Sequence, residues 1–306
     1  NELRQKDPAA YLLTREPEVK QALDAFTTAP TYENAQVYVK AVRAGQEARG
    51  MSFDSTSPVL PASTATAMAQ SILKSPDPVG QLQTLQSAFG TSGWPAVERQ
   101  LVRGNKLPGA LRVAAGGMDT ESGRLLMDTY KNKDFMKQAT VMFDVKEADI
   151  KRDIRGEMED FLESVNAQGD LQMGDTLVES ATRLAFVYMQ QGYSLKDARV
   201  KAAQEVGVDR YTFKGSYRVP MQYDADTIES GASRVLNEVT SGGQLALPET
   251  RGLTDSYTRE RTNAAIMQDG TWVTLPDESG LGLYVLGSPV LDKDGKHVTR
   301  TWEQLT

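Results

Sequence analysis

The chain has no cysteine and a single histidine in 306 residues, and these two absences remove more chemistry than any motif in it supplies. Without cysteine there are no disulfides and no thiolate metal ligands. The sequence therefore suits a reducing or an oxidising compartment, and a protein that crosses between them. With His297 alone, histidine-based metal clusters are excluded and a Ser-His-Asp arrangement has one candidate base. No run approaches the roughly 18 consecutive apolar residues of a membrane-crossing helix. No charged-then-apolar secretion signal opens the chain, so a soluble protein made in the cytoplasm is expected. There is also no initiator methionine: the chain begins Asn1-Glu-Leu-Arg and is expected to be an internal piece of a longer polypeptide or a processed product.

What is present is ordinary globular material. An apolar content of 40% over this length can build a sizeable core, in two domains or in one domain with an appendage. The 34 Lys and Arg face 41 Asp and Glu, a formal charge of -7. That balance argues against a surface built mainly to grip nucleic-acid phosphates, although local basic patches fit within it.

Helical punctuation recurs through the first two thirds. Asp7-Pro8, Asp77-Pro78 and Trp94-Pro95 each place proline where a helix can begin, because its missing N–H has no intrahelical partner there. Apolar residues then recur three and four apart, as in Val19, Ala22, Leu23 and Phe26, or Ala35, Tyr38, Val39 and Val42. The clearest helical hairpin runs from about Thr176 to Val206. One arm lines up Leu177, Ala181, Leu184, Ala185 and Tyr188; Gly192 interrupts; Ser194, with Asp197 three residues on, caps a second arm that ends before Gly207. Packing is the expected role of both stripes. Gly50 to Pro61, with Ser52, Ser55, Ser57 and Pro58, reads as an exposed connector. After Lys214 the segments shorten, with Gly242-Gly243, Pro220, Pro248 and strand-forming Thr, Val and Tyr. The expected fold is mainly α: a multi-helix body of short amphipathic helices over 1–214, with a sub-boundary near 50–61, and a small extended, β-rich C-terminal part over 215–306.

Candidate catalytic signals are weak. Glu163-Ser164 matches the first two residues of the lytic transglycosylase signature, whose glutamate is the acid/base of glycosidic cleavage. The same dipeptide occurs at Glu121, Glu179, Glu229 and Glu278, and the Gly-Leu-Met-Gln stretch that should follow is absent after every copy. All five are expected to be solvated helix-face glutamates. His297, in Gly-Lys-His-Val-Thr, reads as a surface strand residue leaving a turn. Asp292-Lys-Asp294-Gly295 places glycine fourth instead of sixth for a calcium loop and reads as a tight Asp-Gly turn. Ala114-Ala-Gly-Gly117 lacks the Lys and Ser or Thr of a phosphate loop. The mixed-charge run Lys131 to Asp160 suggests a long, exposed, ion-paired helix. No catalytic, cofactor or metal site is assigned.

The ending carries a resemblance. Asn263-Ala-Ala-Ile-Met267, Gly270-Thr-Trp272-Val-Thr-Leu275, Gly280-Leu-Gly-Leu-Tyr284, Gly295-Lys-His297-Val and Thr301-Trp302-Glu-Gln-Leu305, split by Pro276-Asp-Glu-Ser-Gly280 and Asp292-Lys-Asp-Gly295, resemble the C-terminal ending of large internal virion proteins of short-tailed phages. Three earlier stretches are similar to the same family in the same order. The first is Asp7-Pro8-Ala-Ala-Tyr11-Leu12 with Pro17-Glu-Val19. The second is Leu60-Pro61, Ala67-Met-Ala-Gln70, Trp94-Pro95, Leu107-Pro108 and Gly117-Met118-Asp119. The third is Ala185-Phe-Val-Tyr188, Gly192-Tyr-Ser-Leu-Lys-Asp-Ala198, Tyr211-Thr-Phe213 and Arg218-Val-Pro220.

The resemblance implies a core or ejection protein that rides inside the capsid, leaves with or before the genome, and helps build a conduit across the host envelope. It implies contact with copies of itself, other core proteins, the portal, passing DNA and the host envelope, with no small-molecule substrate and no cofactor. Some such proteins carry a separate lytic transglycosylase domain, of which no motif is recognisable here. A peptidoglycan-degrading segment, or a host-interaction module delivered with the DNA, are the alternative expectations. Trp272, Leu275, Leu283, Tyr284 and Trp302 are expected to centre the C-terminal part.

Overall fold

The computed structural model describes residues 2–53, 57–102, 107–116, 118–169, 171–247, 255–276 and 278–306. Asn1, Ser55, Gly117, Pro248 and Asp277, which figure in the sequence reading, lie outside the described residues. The described chain is mainly helical with a small C-terminal sheet region, and it divides into two units, Asn1–Phe135 and Met136–Thr306.

In the first unit α1 (Glu2–Lys6), α2 (Pro8–Leu13), α3 (Pro17–Thr28), α4 (Tyr32–Ala48), α5 (Ala62–Lys74), α6 (Pro78–Val102), α7 (Gly109–Ala115) and α8 (Thr120–Lys131) follow one another. Asp7 opens α2 by accepting the Ala10 amide at 3.0 Å, and its other oxygen accepts the Ala62 amide at 2.8 Å. Asp77 accepts Gly80 N at 2.9 Å at the start of α6. The expected start at Trp94-Pro95 is displaced. The backbone breaks at Gly90 (φ 56°, ψ -167°), and Pro95 falls inside the segment that follows. Phe26, Tyr38 and Phe89 form the aromatic centre, with Phe26 edge-on to Phe89 at 4.8 Å.

The Gly50–Pro61 connector is not exposed throughout: Val59 and Leu60 are fully buried. Gln100 Oε1 accepts both of their amides at 3.0 and 2.9 Å, and Val59 O accepts the Tyr38 hydroxyl at 2.5 Å. Two apolar side chains at the end of a polar stretch outweigh the stretch itself.

The second unit takes in α9 (Phe135–Phe143) from its second residue, then α10 (Glu147–Glu157), α11 (Glu159–Ala167), α12 (Leu171–Gln190) and α13 (Leu195–Glu205). The expected hairpin is α12 and α13. Gly192 turns at φ 95°, the Ser194 hydroxyl accepts Asp197 N at 3.1 Å, and Leu177, Ala181, Leu184, Ala185, Ala198 and Ala202 are buried. The charged run is three helices, not one. Asp144 takes φ 50° between α9 and α10, and Met158 sits between α10 and α11. Nor is α10 merely solvated: Ile150 and Ile154 are buried, and Lys151, Arg155 and Asp153 pair with Glu179, Asp175 and Arg199.

A 3-10 turn (Val208–Arg210) leads into β1 (Tyr211–Lys214) and β2 (Tyr217–Pro220), an antiparallel pair. Two helices follow within the stretch expected to be extended, α14 (Ala225–Ser241) and α15 (Asp255–Asp269). The break in composition at Lys214 lies inside the second unit. A second sheet is built from β3 (Gly270–Thr274), β4 (Gly280–Val285), β5 (Ser288–Pro289) and β6 (Thr299–Thr301), and α16 (Trp302–Leu305) follows it. Since β3 pairs with residues 281–285 of β4, the registers put β5 and β6 together on the other edge of β4.

The core here joins Ile228, Val235 and Val239 of α14 to Leu281, Leu283, Trp272 and Trp302. Of the five residues expected to centre this part, Trp272, Leu283 and Trp302 are buried at 8%, 0% and 3% exposure, whereas Leu275 and Tyr284 are half-buried. The sequence reading missed α14 as the main partner of the sheet.

Candidate functional site

A constellation of polar side chains is centred on Arg218, in β2. Strand residues alternate between faces, so Tyr217 and Val219 enter the core against α14 while Arg218 is turned the other way, toward α11. Its side chain is 7% exposed. On α11 and its C-terminal cap, Phe161, Ser164 and Gln168 are spaced three and four apart and share a helix face.

The guanidinium lies 5.7 Å from the Phe161 ring centroid and 5.3 Å from that of Tyr211. Its Nη atoms reach Ser164 Oγ at 3.4 Å and Gln168 Oε1 at 3.3 Å, while Nη2 meets Glu278 Oε1 at 2.8 Å. Nε has no partner. Glu278 Oε2 accepts the Tyr211 hydroxyl at 2.8 Å. Thr274 Oγ1 accepts Arg218 N at 2.9 Å and donates to Arg218 O at 3.1 Å, pinning β2 to β3. Gln168 Nε2 donates to Thr274 O at 2.8 Å, so the cap of α11 is held to the same place.

The charges of the group face each other, Arg218 against Glu278. Burial, reinforced by the Glu278 charge, pushes the Tyr211 hydroxyl up to about 12, so it stays a donor at neutral pH. Both Glu278 oxygens are engaged, one by a cation and one by that hydroxyl. This carboxylate serves the fold as a shared acceptor. Its backbone is left-handed at φ 57°, which costs an L-residue about 1–2 kcal/mol.

Glu278 corrects the expectation that all five Glu-Ser copies are solvated helix-face residues. It lies at the turn between β3 and β4 and answers a buried charge. Glu179 departs as well, since it is partly buried and paired to Lys151 and Arg183. Glu163 and Glu121 are exposed on α11 and α8, and Glu229 pairs with Lys214 at the surface. Next to Glu163, the buried Ser164 belongs to the arginine cluster.

His297 bridges to Leu291 just after the turn at Asp292. Its Nε2 lies 3.0 Å from Leu283 O, and its ring meets Tyr284 edge-on at 4.8 Å. Burial holds its pKa below the ordinary value, opposed by the bond to the Leu283 carbonyl. Asp292 Oδ1 accepts the amides of Asp294 and Lys296 at 2.9 Å, so its carboxylate organises a turn. Ala114 and Ala115 end α7, and Gly116 caps it.

Among the described residues no group of three or more His, Asp or Glu is placed to hold a metal ion, and no helix is long and apolar enough to cross a membrane. A cleft of about 470 Å³ in the first unit is lined by Arg4, Gln46, Met51, Ser57 and Pro58 among others. Gln46 is bonded to Pro58 O and Arg43, and Arg4 to the carbonyls of Arg49 and Gly50, so these polar groups serve the fold.

No family model matches the chain, and no curated protein or solved structure matches it either. Sequence reasoning missed the arginine cluster. Its only advance signals were a charged residue between Tyr217 and Val219 and the 161, 164, 168 spacing on a predicted helix.

Proposed function

We propose that this chain is a segment of an internal virion protein of a short-tailed phage, ejected with or before the genome to help build a conduit for DNA across the host envelope. The observation that carries the reading is the order of its sequence motifs, from Asp7-Pro8 through Arg218-Val-Pro220 to Thr301-Trp302. Several residues in those motifs do work in the fold, which supports taking the motifs as structural units. Asp7 caps α2 and ties it to the start of α5, Arg218 organises its cluster, and Trp302 anchors α16.

Charge supports the reading from a second direction. Residues 1–135 hold 15 Lys and Arg against 14 Asp and Glu, and residues 136–306 hold 19 against 27. The second unit thus carries the acidic excess, and an acidic wall lets DNA pass without the phosphate neutralisation that produces tight nonspecific binding. On this reading the partners are copies of this chain, other core proteins and the portal, first inside the capsid and then in the host periplasm and envelope.

The test is quantitative mass spectrometry of purified particles before and after triggered DNA release. Peptides of this chain should be present in full particles and lost from emptied ones. Absence from both would overturn the reading in favour of an enzyme or a host-interaction protein made only during infection.

A further inference from the structure

Glu278 joins elements drawn from distant parts of the sequence. Its carboxylate takes Arg218 from β2 and Tyr211 from β1, and its carbonyl accepts the Trp302 indole N–H from α16 at 2.6 Å. Through Arg218 the link extends to Ser164 and Gln168. The residue is also held in a backbone conformation that suits glycine, and its side chain is 39% exposed, so solvent reaches the ion pair.

The segment that depends on it sits close against backbone. A Cβ at Gly280 of β4 would collide with Arg300 O, and one at Gly231 of α14 with Leu305 O. Trp302 N donates to Ser279 O at 3.2 Å, next to Glu278. Close backbone contacts of this kind are lost together when the segment shifts.

We propose that Glu278 is a latch: while Arg218 holds its carboxylate, the turn before β4 is trapped in its left-handed form and residues 299–306 stay clamped on β4 and α14. When the pair breaks, the turn relaxes to ordinary backbone and the Trp302 indole loses its acceptor. The strand and helix of the tail then leave as one body, uncovering Trp302 and Leu305. The α12–α13 hairpin keeps its fold, because its contacts through Ala181, Leu184, Ala198 and Ala202 do not pass through the turn. The device gives the second unit two states that differ by local rearrangement, and it stands independently of the virion reading.

Amide hydrogen exchange on the full chain tests it, comparing wild type with Glu278→Gln and Glu278→Gly. Glutamine removes the charge and keeps the strain, whereas glycine removes both. The expected result is exchange at residues 301–306 at least about tenfold faster in the glutamine variant, unchanged exchange in α12 and α13, and an intermediate rate in the glycine variant. Unchanged tail exchange in Glu278→Gln would overturn the latch. So would an equal acceleration through α12 and α13, or a glycine variant that exchanges as fast as the glutamine variant or faster. In wild type under rising urea, the tail should exchange through an opening less denaturant-sensitive than that of α12; exchange only with global unfolding would also overturn it.

Discussion

The Arg218 guanidinium, boxed between the Phe161 and Tyr211 rings, has more to lose from separation than the carboxylate facing it. Glu278 can turn to water, while Arg218, at 7% side-chain exposure, cannot do so without opening the fold. The pair is therefore a constraint on conformation more than a source of net stability. His297 supplies the titration to follow at this scale. Its folded-state pKa lies below the unfolded value of 6.5, so the unfolded chain binds the proton first as pH falls. The stability it contributes is complete above 6.5 and is lost as pH drops from there through the folded value. Wild type should melt at a lower temperature near pH 5 than near pH 7.5, and His297→Gln should reduce that difference. An identical pH dependence in the variant would show that other groups set it.

Among the elements, glycine separates two kinds of helix. Gly156 lies in α10 with no atom within 4 Å of an added Cβ, so Gly156→Ala should stabilise by about 0.5–1 kcal/mol through backbone entropy alone. Gly231 lies in α14 against the Leu305 carbonyl, and Gly231→Ala should destabilise by about 1–3 kcal/mol as α16 is pushed from its seat. Thermal unfolding of the two variants should move in opposite directions; a shift of the same sign would refute the placement of α16. The division of the charged run into α9, α10 and α11 belongs to this scale too. A left-handed Asp144 and buried Ile150 and Ile154 decide it, and a count of charges registers neither.

For the molecule as a whole, the acidic excess of the second unit is the feature that the proposed conduit role puts to the test against DNA. At about 50 mM salt, where electrostatic binding is strong, the purified chain should leave duplex DNA unshifted in a mobility assay. Tight retention that weakens steeply with added salt would count against the conduit reading. The strand-rich residues after Lys214 share one unit with α10 to α13, because β2 is held to α11 through Arg218 and to α14 through Tyr217 and Val219.

The residues alone determined what depends on neighbours a few positions away. The mainly helical class, the α12–α13 hairpin with its Gly192 turn and Ser194 cap, the Asp7 and Asp77 starts and the Asp292 turn are all local matters of spacing and capping. Only the tertiary structure decided the partners. It buried Val59 and Leu60 at the end of a polar connector, made α14 the floor of the sheet, and moved Leu275 and Tyr284 to the margin of the core. It also drew Glu278, 60 positions from Arg218, out of a set of five identical dipeptides. A buried charge is answered by whichever carboxylate the fold delivers, and that delivery depends on long-range packing that no local pattern in the chain records.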